Sequence, residues 1–209
     1  MQLIESYFPD LTAKQKSQFK TAIQTYIHWN DKINVISRKD ILNLEERHFL
    51  HTLSISKFVQ FANHTRFADI GTGGGFPGIP MAILLPHCTF TLIDSIEKKL
   101  HVASEVITAC KLENVTVLRA RAEAVDIRVD FVTGRAVENL GVFVQRVQHM
   151  IRPGHLSSLP NGILYLKGGD TPSENKIKGQ VLEYNLSSVF KESFFETKML
   201  VYINPFKRL

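Results

Sequence analysis

Twelve consecutive residues, Phe67-Ala68-Asp69-Ile70-Gly71-Thr72-Gly73-Gly74-Gly75-Phe76-Pro77-Gly78, constrain this chain more than any other stretch. Phe67, Ala68 and Ile70 form an apolar strand that runs straight into a glycine cluster, and the pattern predicts a short apolar helix from Ile79 to Leu85, stopped by Pro86. Glycine lets the backbone take positive φ and lets a ligand approach the main chain with no Cβ in the way. A strand, a glycine turn and a helix N-terminus in succession are expected to present free N–H groups to an anionic or polar ligand. The stretch reads as a nucleotide-type binding loop, because a turn that binds nothing has no need of five glycines in eight positions.

Spacing narrows the ligand. Counted from Gly71, the dinucleotide fingerprint needs a glycine where Phe76 stands; counted from Gly73 it is met by Gly75 and Gly78, but two residues late relative to the strand. Asp69 places a carboxylate just before the first glycine, which would repel a pyrophosphate and favour a cationic ligand. S-adenosylmethionine, with its sulfonium and ammonium groups, suits that charge better than a dinucleotide.

Lys and Arg exceed Asp and Glu by 25 − 20 = 5, a modest excess that fits a polyanionic partner better than an acidic one, or serves solubility alone. At 209 residues the chain is long enough for one α/β domain with an extension. Cys88 and Cys110 sit among apolar residues without metal-ligand spacing, so buried free thiols are expected and no metal. The sequence has no long apolar run and no basic-then-apolar start, so the expectation is a cytoplasmic protein with no membrane partner.

Residues 1–65 are expected to form a helical extension and residues 66–209 the ligand-binding domain. Thr12 is a plausible N-cap, followed by an apolar stripe through Phe19, Ile23, Tyr26 and Ile27, with Trp29 as a core anchor. A second helix is expected over 41–49 and a third over 53–61. Strand and helix patterns alternate from Phe67, the mark of a parallel sheet covered on both faces. After the first, strands are expected at Thr89–Asp94, Val115–Leu118, Phe131–Thr133 and Gly162–Leu166, with a helix capped by Ser95 and another from Leu140 to Ile151. Residues 180–186, 188–195 and 198–203 read as strand-like, suggesting a terminal antiparallel pair before the basic Lys207-Arg208. The polar Thr171–Gly179 reads as a mobile loop.

Asp94 ends the second strand, 23 positions after Gly71. Ligands of open α/β sheets bind beyond the strand ends, where such an acid accepts both ribose hydroxyls; it is also placed to cap the next helix. Ala122 and Glu123 follow the third strand, where a small residue and exposed backbone suit an adenine ring, although an ordinary turn fits too. Arg135 lies on the same rim, able to hold a carboxylate or phosphate or simply to face solvent.

Asp69 to Pro80, Asp94-Ser95 with Lys98-Lys99, Arg121-Ala122-Glu123, Thr133-Gly134-Arg135-Ala136-Val137 and Leu166-Lys167-Gly168 closely resemble the bacterial RsmG family, also called GidB. Trp29-Asn30, Asn34 and Arg47-His48 also resemble it, so the likeness covers most of the chain. These enzymes methylate N7 of one guanosine in small-subunit ribosomal RNA. The resemblance implies a Rossmann-like class I methyltransferase fold, mostly parallel and seven-stranded, with S-adenosylmethionine as cofactor. It implies small-subunit ribosomal RNA, naked or within the subunit, as partner, and a monomer is expected. Gly71, Phe76, Ala122, Glu123 and Arg135 match its cofactor-binding positions; Gly73, Gly75, Asp94 and Ser95 join them from the residue pattern. One departure stands out: the family commonly has an acid and a serine where this chain has His51-Thr52.

Guanine N7 already carries an in-plane lone pair, so alignment matters more than a general base. No certain catalytic residue follows; Arg135 and Lys167 are candidates. Arg47, His48, Lys98, Lys99, Arg119, Arg121 and Lys167 are candidates for RNA contact. Phe76 is expected either to stack a base or to wall the cofactor. A small-molecule methyltransferase, a non-catalytic ribosome-assembly protein and, more distantly, a dinucleotide oxidoreductase are the competing functions.

Overall fold

In the computed structural model, which describes residues 1–135, 138–168 and 177–206, the five anticipated strands form: β1 (Arg66–Ile70), β2 (Thr89–Asp94), β3 (Val115–Arg119), β4 (Phe131–Arg135) and β5 (Gly162–Gly168). β6 (Gln180–Asn185) and β7 (Lys198–Asn204) complete one sheet in the order β3-β2-β1-β4-β5-β7-β6. β1 to β5 pair in parallel, while β7 runs antiparallel to both β5 and β6. Strands of a parallel sheet are covered on both faces, which is why β1, β4 and β5 are buried along nearly their whole length. Connections reverse direction beside β1, with β2 and β3 on one side and β4 and β5 on the other. That switch point opens a crevice beyond the strand ends.

The helices are α1 (Gln2–Tyr7), α2 (Ala13–Asn30), α3 (His51–Leu53), α4 (Ile55–Phe58), α5 (Gly78–Leu84), α6 (Glu97–Cys110) and α7 (Leu140–Val147). Thr12 caps α2 in a reciprocal capping box with Gln15, as its position suggested. The Gln15 amide also donates to the carbonyls of Ile83 and Leu84, satisfying the end of α5. One apolar cluster runs from Phe19, Tyr26 and Phe49 to Phe67, Phe76 and Leu92, so helical extension and sheet share a core. Cys88 and Cys110 are buried and unbridged.

Three expectations need correction. No break separates two helices over 41–61: a 3-10 turn (Ile41–Asn43), a wide turn (Glu45–Leu50), α3 and α4 follow with right-handed helical backbone at each junction. Buried polar residues had blurred the apolar period there; His48 and His51 face inward. Residues 188–195 are not a strand, since β6 and β7 pair directly. Phe190 and Phe195 instead bury their rings 4.5 Å apart from turns, a spacing that strand alternation would put on opposite faces. The third concerns α7, which stops at Val147, after which Ile151 bridges to Val129. Of the loop expected at Thr171–Gly179, residues 171–176 lie outside the described residues, as do Ala136, Val137, Lys207 and Arg208.

Candidate active site

The glycine loop is held from beneath by Asp69. Its carboxylate is fully buried and accepts from the Thr72 hydroxyl (2.6 Å), the Gly78 N–H (2.9 Å) and the Thr133 hydroxyl (3.2 Å). Burial pushes it up to about 6, against the pull of those donors. Asp69 therefore organises the loop and does not meet a ligand directly, correcting the expectation of a carboxylate facing a cation. Gly75 has φ 108°, and a Cβ there would lie 2.4 Å from the Ile79 side chain, so only glycine fits. From above, the Tyr26 hydroxyl donates to the Gly74 carbonyl at 2.8 Å.

The expectation of free loop N–H groups is overturned as well. Those of Gly71 and Thr72 donate to the Ile93 carbonyl, those of Gly75 and Phe76 to the Thr72 carbonyl, and that of Gly73 to Asp94. With the N–H groups of Gly71, Thr72, Gly73, Gly75 and Phe76 spent internally, the loop is a poor pyrophosphate cradle, which disfavours a dinucleotide on physical grounds.

Beside the loop lies a crevice of about 550 Å³, lined by Gly71, Asp94, Ser95, Ala122, Glu123 and Arg135 among others. Six of the predicted cofactor residues thus converge. Gly73 and Gly75 shape the loop without lining the crevice, and Phe76 lies elsewhere. Asp94, 8% exposed, accepts from Gly73 N–H through Oδ2 (2.9 Å) and from Ile96 N–H through Oδ1 (2.8 Å). It fixes the loop and starts α6, so it takes the capping job expected of Ser95, whose neighbour Ile96 is the N-cap without a side-chain cap bond. Each carboxylate oxygen has a second lone pair, leaving both free to accept ribose hydroxyls. Arg146 was not anticipated. It lines the crevice and pairs with Glu123 (2.8 Å) and Glu138 (2.9 Å). A single charge in the otherwise apolar and amide sequence of α7 was the available signal.

Phe76, 5% exposed, packs against Tyr26, His48 and Phe49, so it belongs to the shared core and presents no open face to a base. The Arg135 guanidinium lies 5.3 Å from its ring centre. Arg135 also donates to the Arg47 carbonyl (3.2 Å) and to His48 Nδ1 (2.8 Å), and burial lowers it to about 10, still charged at neutral pH. It walls both the crevice and a second cavity of about 260 Å³, which is also lined by Arg47, His48, His51, Phe194 and Lys198.

The RNA candidates scatter. Lys99 and Arg121 reach the crevice wall, and Lys98 is exposed beside it. Arg119 is exposed and paired with Glu97 at 2.7 Å. Arg47 pairs with Asp40 at 2.8 Å, while His48 is buried. Lys167 is 8% exposed and lines neither cavity, because β5 is covered on both faces; an open basic rim there is not what the strand provides.

These buried groups make folding pH-dependent. Burial and the nearby Arg135 guanidinium lower His48 to about 3 and hold His51 low too, whereas unfolded histidine titrates near 6.5. The folded chain then binds fewer protons, so stability is lost as pH falls. Asp69 works oppositely: its folded value of about 6 exceeds the unfolded 3.8, so its contribution is lost as pH rises through that window. Two histidine protons against one carboxyl proton leave a net of about one. Stability should therefore rise by about 1.4 kcal/mol per pH unit between pH 5 and 6. Denaturant melts across this range check the slope; a flat or falling series contradicts it.

The family profile described as "GidB: rRNA small subunit methyltransferase G" matches residues 15–198. Proteins named ribosomal RNA small subunit methyltransferase G from Phocaeicola vulgatus and Bacteroides thetaiotaomicron are 48% and 50% identical to it, over 97% of this chain and 98% of theirs. Among solved structures, a SAM-dependent methyltransferase from Aquifex aeolicus superposes with TM-score 0.52 at 15% identity, covering 80% of this chain and 98% of that one. A mutant of MtNAS in complex with S-adenosylmethionine gives 0.56 at 14%, covering 91% and 76%. Those two likenesses bear on the fold, which is that of the class I methyltransferases. The near-full-length match in sequence goes further: the chain belongs to the rRNA small subunit methyltransferase G (GidB) family.

Proposed function

We propose that the protein transfers the methyl group of S-adenosylmethionine to N7 of a guanosine in small-subunit ribosomal RNA. The observation that carries the cofactor half is Asp94, a preset carboxylate at the end of β2 with acceptor capacity left toward the crevice. In this reading Asp94 grips the ribose, Ala122 and Glu123 flank the adenine, and Gly71 lies against the methionine portion. Arg135 holds the donor's carboxylate. Family membership supports ribosomal RNA as acceptor and N7 as target.

The reaction needs little acid–base help. N7 attacks the methyl carbon with its own lone pair, the carbon–sulfur bond breaks, and positive charge passes from sulfur to the guanine ring. What the chain supplies is alignment and a site where no cation is pressed on the reacting edge. The engagement of Arg135 with His48 and the Arg47 carbonyl fits that need, because it anchors the guanidinium away from the acceptor. Lys98, Lys99 and Arg121 are the candidates for RNA phosphates, the chain acting as a monomer in the cytoplasm on naked RNA or on the assembling subunit.

Labelled methyl donor offered with deproteinised small-subunit RNA, assembled subunits and free guanosine tests the proposal. Label should enter one RNA-containing substrate as 7-methylguanosine and should not enter free guanosine efficiently. Label found only on small molecules, or on none, rejects it. RNA affinity should also fall steeply with salt, each phosphate contact adding about −0.7 to the slope of log K against log salt for single strands. A flat profile contradicts a phosphate-gripping surface.

A further inference from the structure

The second cavity carries more positive charge than the mechanism uses. Arg47, Arg135 and Lys198 line it against one carboxylate, Asp40, which Arg47 already holds at 2.8 Å. Among the described residues, neither Lys198 nor Arg135 pairs with an acid. His48 and His51 line it too, and burial, with Arg135 next, keeps both rings uncharged at neutral pH, so they do not add to this charge or offset it. Charges gathered in a cavity are normally paired, so three cations around one carboxylate leave the site short of an anion.

Lys198 is held in place, unlike a solvated surface lysine. It opens β7 opposite Gly168 of β5. Because Gly168 has no Cβ, the lysine stem lies across that strand, its Cδ 3.4 Å and its Nζ 3.5 Å from where a Cβ would stand. The ammonium lies 4.8 Å from the centre of the Phe194 ring, and the Arg47 guanidinium lies 5.6 Å from the same centre. Phe194 is itself set edge-on against His51 at 5.5 Å and Phe195 at 5.1 Å, so one fixed ring positions two cations. The Thr197 hydroxyl takes one ammonium N–H at 2.9 Å, which leaves two donors for a ligand.

Shape and position name the anion. A volume of about 260 Å³ is more than a bare phosphate fills, being the space of roughly nine waters at ~30 Å³ each. Leu166 and Phe194 give the cavity an apolar side beside the cationic one, which suits a phosphate carrying a sugar better than an inorganic ion. The cavity lies at the ends of β4 and β5, across the switch point from Asp94, and shares Arg135 with the crevice. A nucleotide held there by its phosphate stands next to a donor in the crevice. Its own negative charge answers the cations, so the reacting N7 edge of the base is left without one.

We propose that this cavity seats the phosphodiester of the nucleotide to be methylated, with Lys198 Nζ and the Nη atoms of Arg47 donating to its oxygens and the ribose against Leu166 and Phe194. Lys198 is then a substrate-binding residue. Assigning the phosphate to RNA rests on the methyltransferase reading; the presence of an anion site does not.

The test uses the full chain saturated with S-adenosylhomocysteine. It is titrated with the dinucleotide uridylyl-3′,5′-guanosine, with uridine and guanosine together, and with inorganic phosphate, calorimetry reading each affinity. The dinucleotide should bind roughly tenfold more tightly than either of the others, the worth of one charge-assisted hydrogen bond. Lys198→Gln should remove that advantage and Lys198→Arg should restore it, while donor affinity stays within about twofold in both. With small-subunit RNA, Lys198→Gln should raise KM roughly tenfold at unchanged kcat and flatten the salt slope by about 0.7. Nucleosides or inorganic phosphate binding as tightly as the dinucleotide to the wild-type protein overturns the proposal, whether or not the variants fold. Should ribosomal RNA accept no methyl while the dinucleotide still depends on Lys198, the methyltransferase reading fails and the phosphate site stands. An unchanged KM and salt slope for that RNA in Lys198→Gln has the opposite meaning: the methyltransferase reading stands and the phosphate site fails.

Discussion

Asp94→Ala is expected to weaken S-adenosylmethionine binding by roughly 100- to 10,000-fold while changing RNA affinity by no more than about twofold. A hydrogen bond to a charged group contributes about 1.5–3 kcal/mol, and two ribose hydroxyls would lose theirs together. The same substitution releases the Gly73 N–H, so the loop also loses the contact that fixes it to β2. Asp94→Asn keeps one acceptor oxygen and should fall between the two. Isothermal titration with donor and, separately, with RNA reads both numbers. Unchanged donor affinity removes Asp94 from the site; an equal loss of RNA affinity means the variant has merely unfolded the crevice.

Asp69→Leu should destabilise the fold by about 2–4 kcal/mol at neutral pH, with loss of donor binding following from the collapsed loop. Three donors converge on the carboxylate, and each one orphaned costs about 1–3 kcal/mol. Relief of the buried charge returns part of this: a value raised from 3.8 to about 6 corresponds to about 3 kcal/mol at pH 7. The penalty should therefore be about 1 kcal/mol larger at pH 5, where the wild-type carboxyl is already mostly protonated. Denaturant melts at the two pH values separate this from a simple packing defect, whose cost would not change with pH.

Strands β1, β2 and β5 were legible because burial on both faces leaves short apolar runs ending at glycine or acid, and neither β1 nor β2 admits another period. Asp94 was legible for the same reason: its place at a strand end follows from counting. Asp69 shows where counting stops. Its position beside the glycines was visible, but whether it faced a ligand or the loop's underside depended on Thr133, which β4 brings in from 64 positions away. The loop's N–H groups were misjudged likewise, since their partners Ile93 and Asp94 arrive on β2. Phe76 read as a cleft aromatic until the helical extension covered it with Tyr26 and Phe49. His51 was visible only as a departure from a family pattern; its burial depends on Phe194 and Phe195 from near the other end of the chain.

Crystals of the protein soaked with S-adenosylmethionine give the sharpest test of where the donor binds. Density is expected in the crevice beyond β1 and β2, with both ribose hydroxyls on Asp94. A crevice that stays empty at saturating donor, or a donor seated with its ribose away from Asp94, contradicts the assignment.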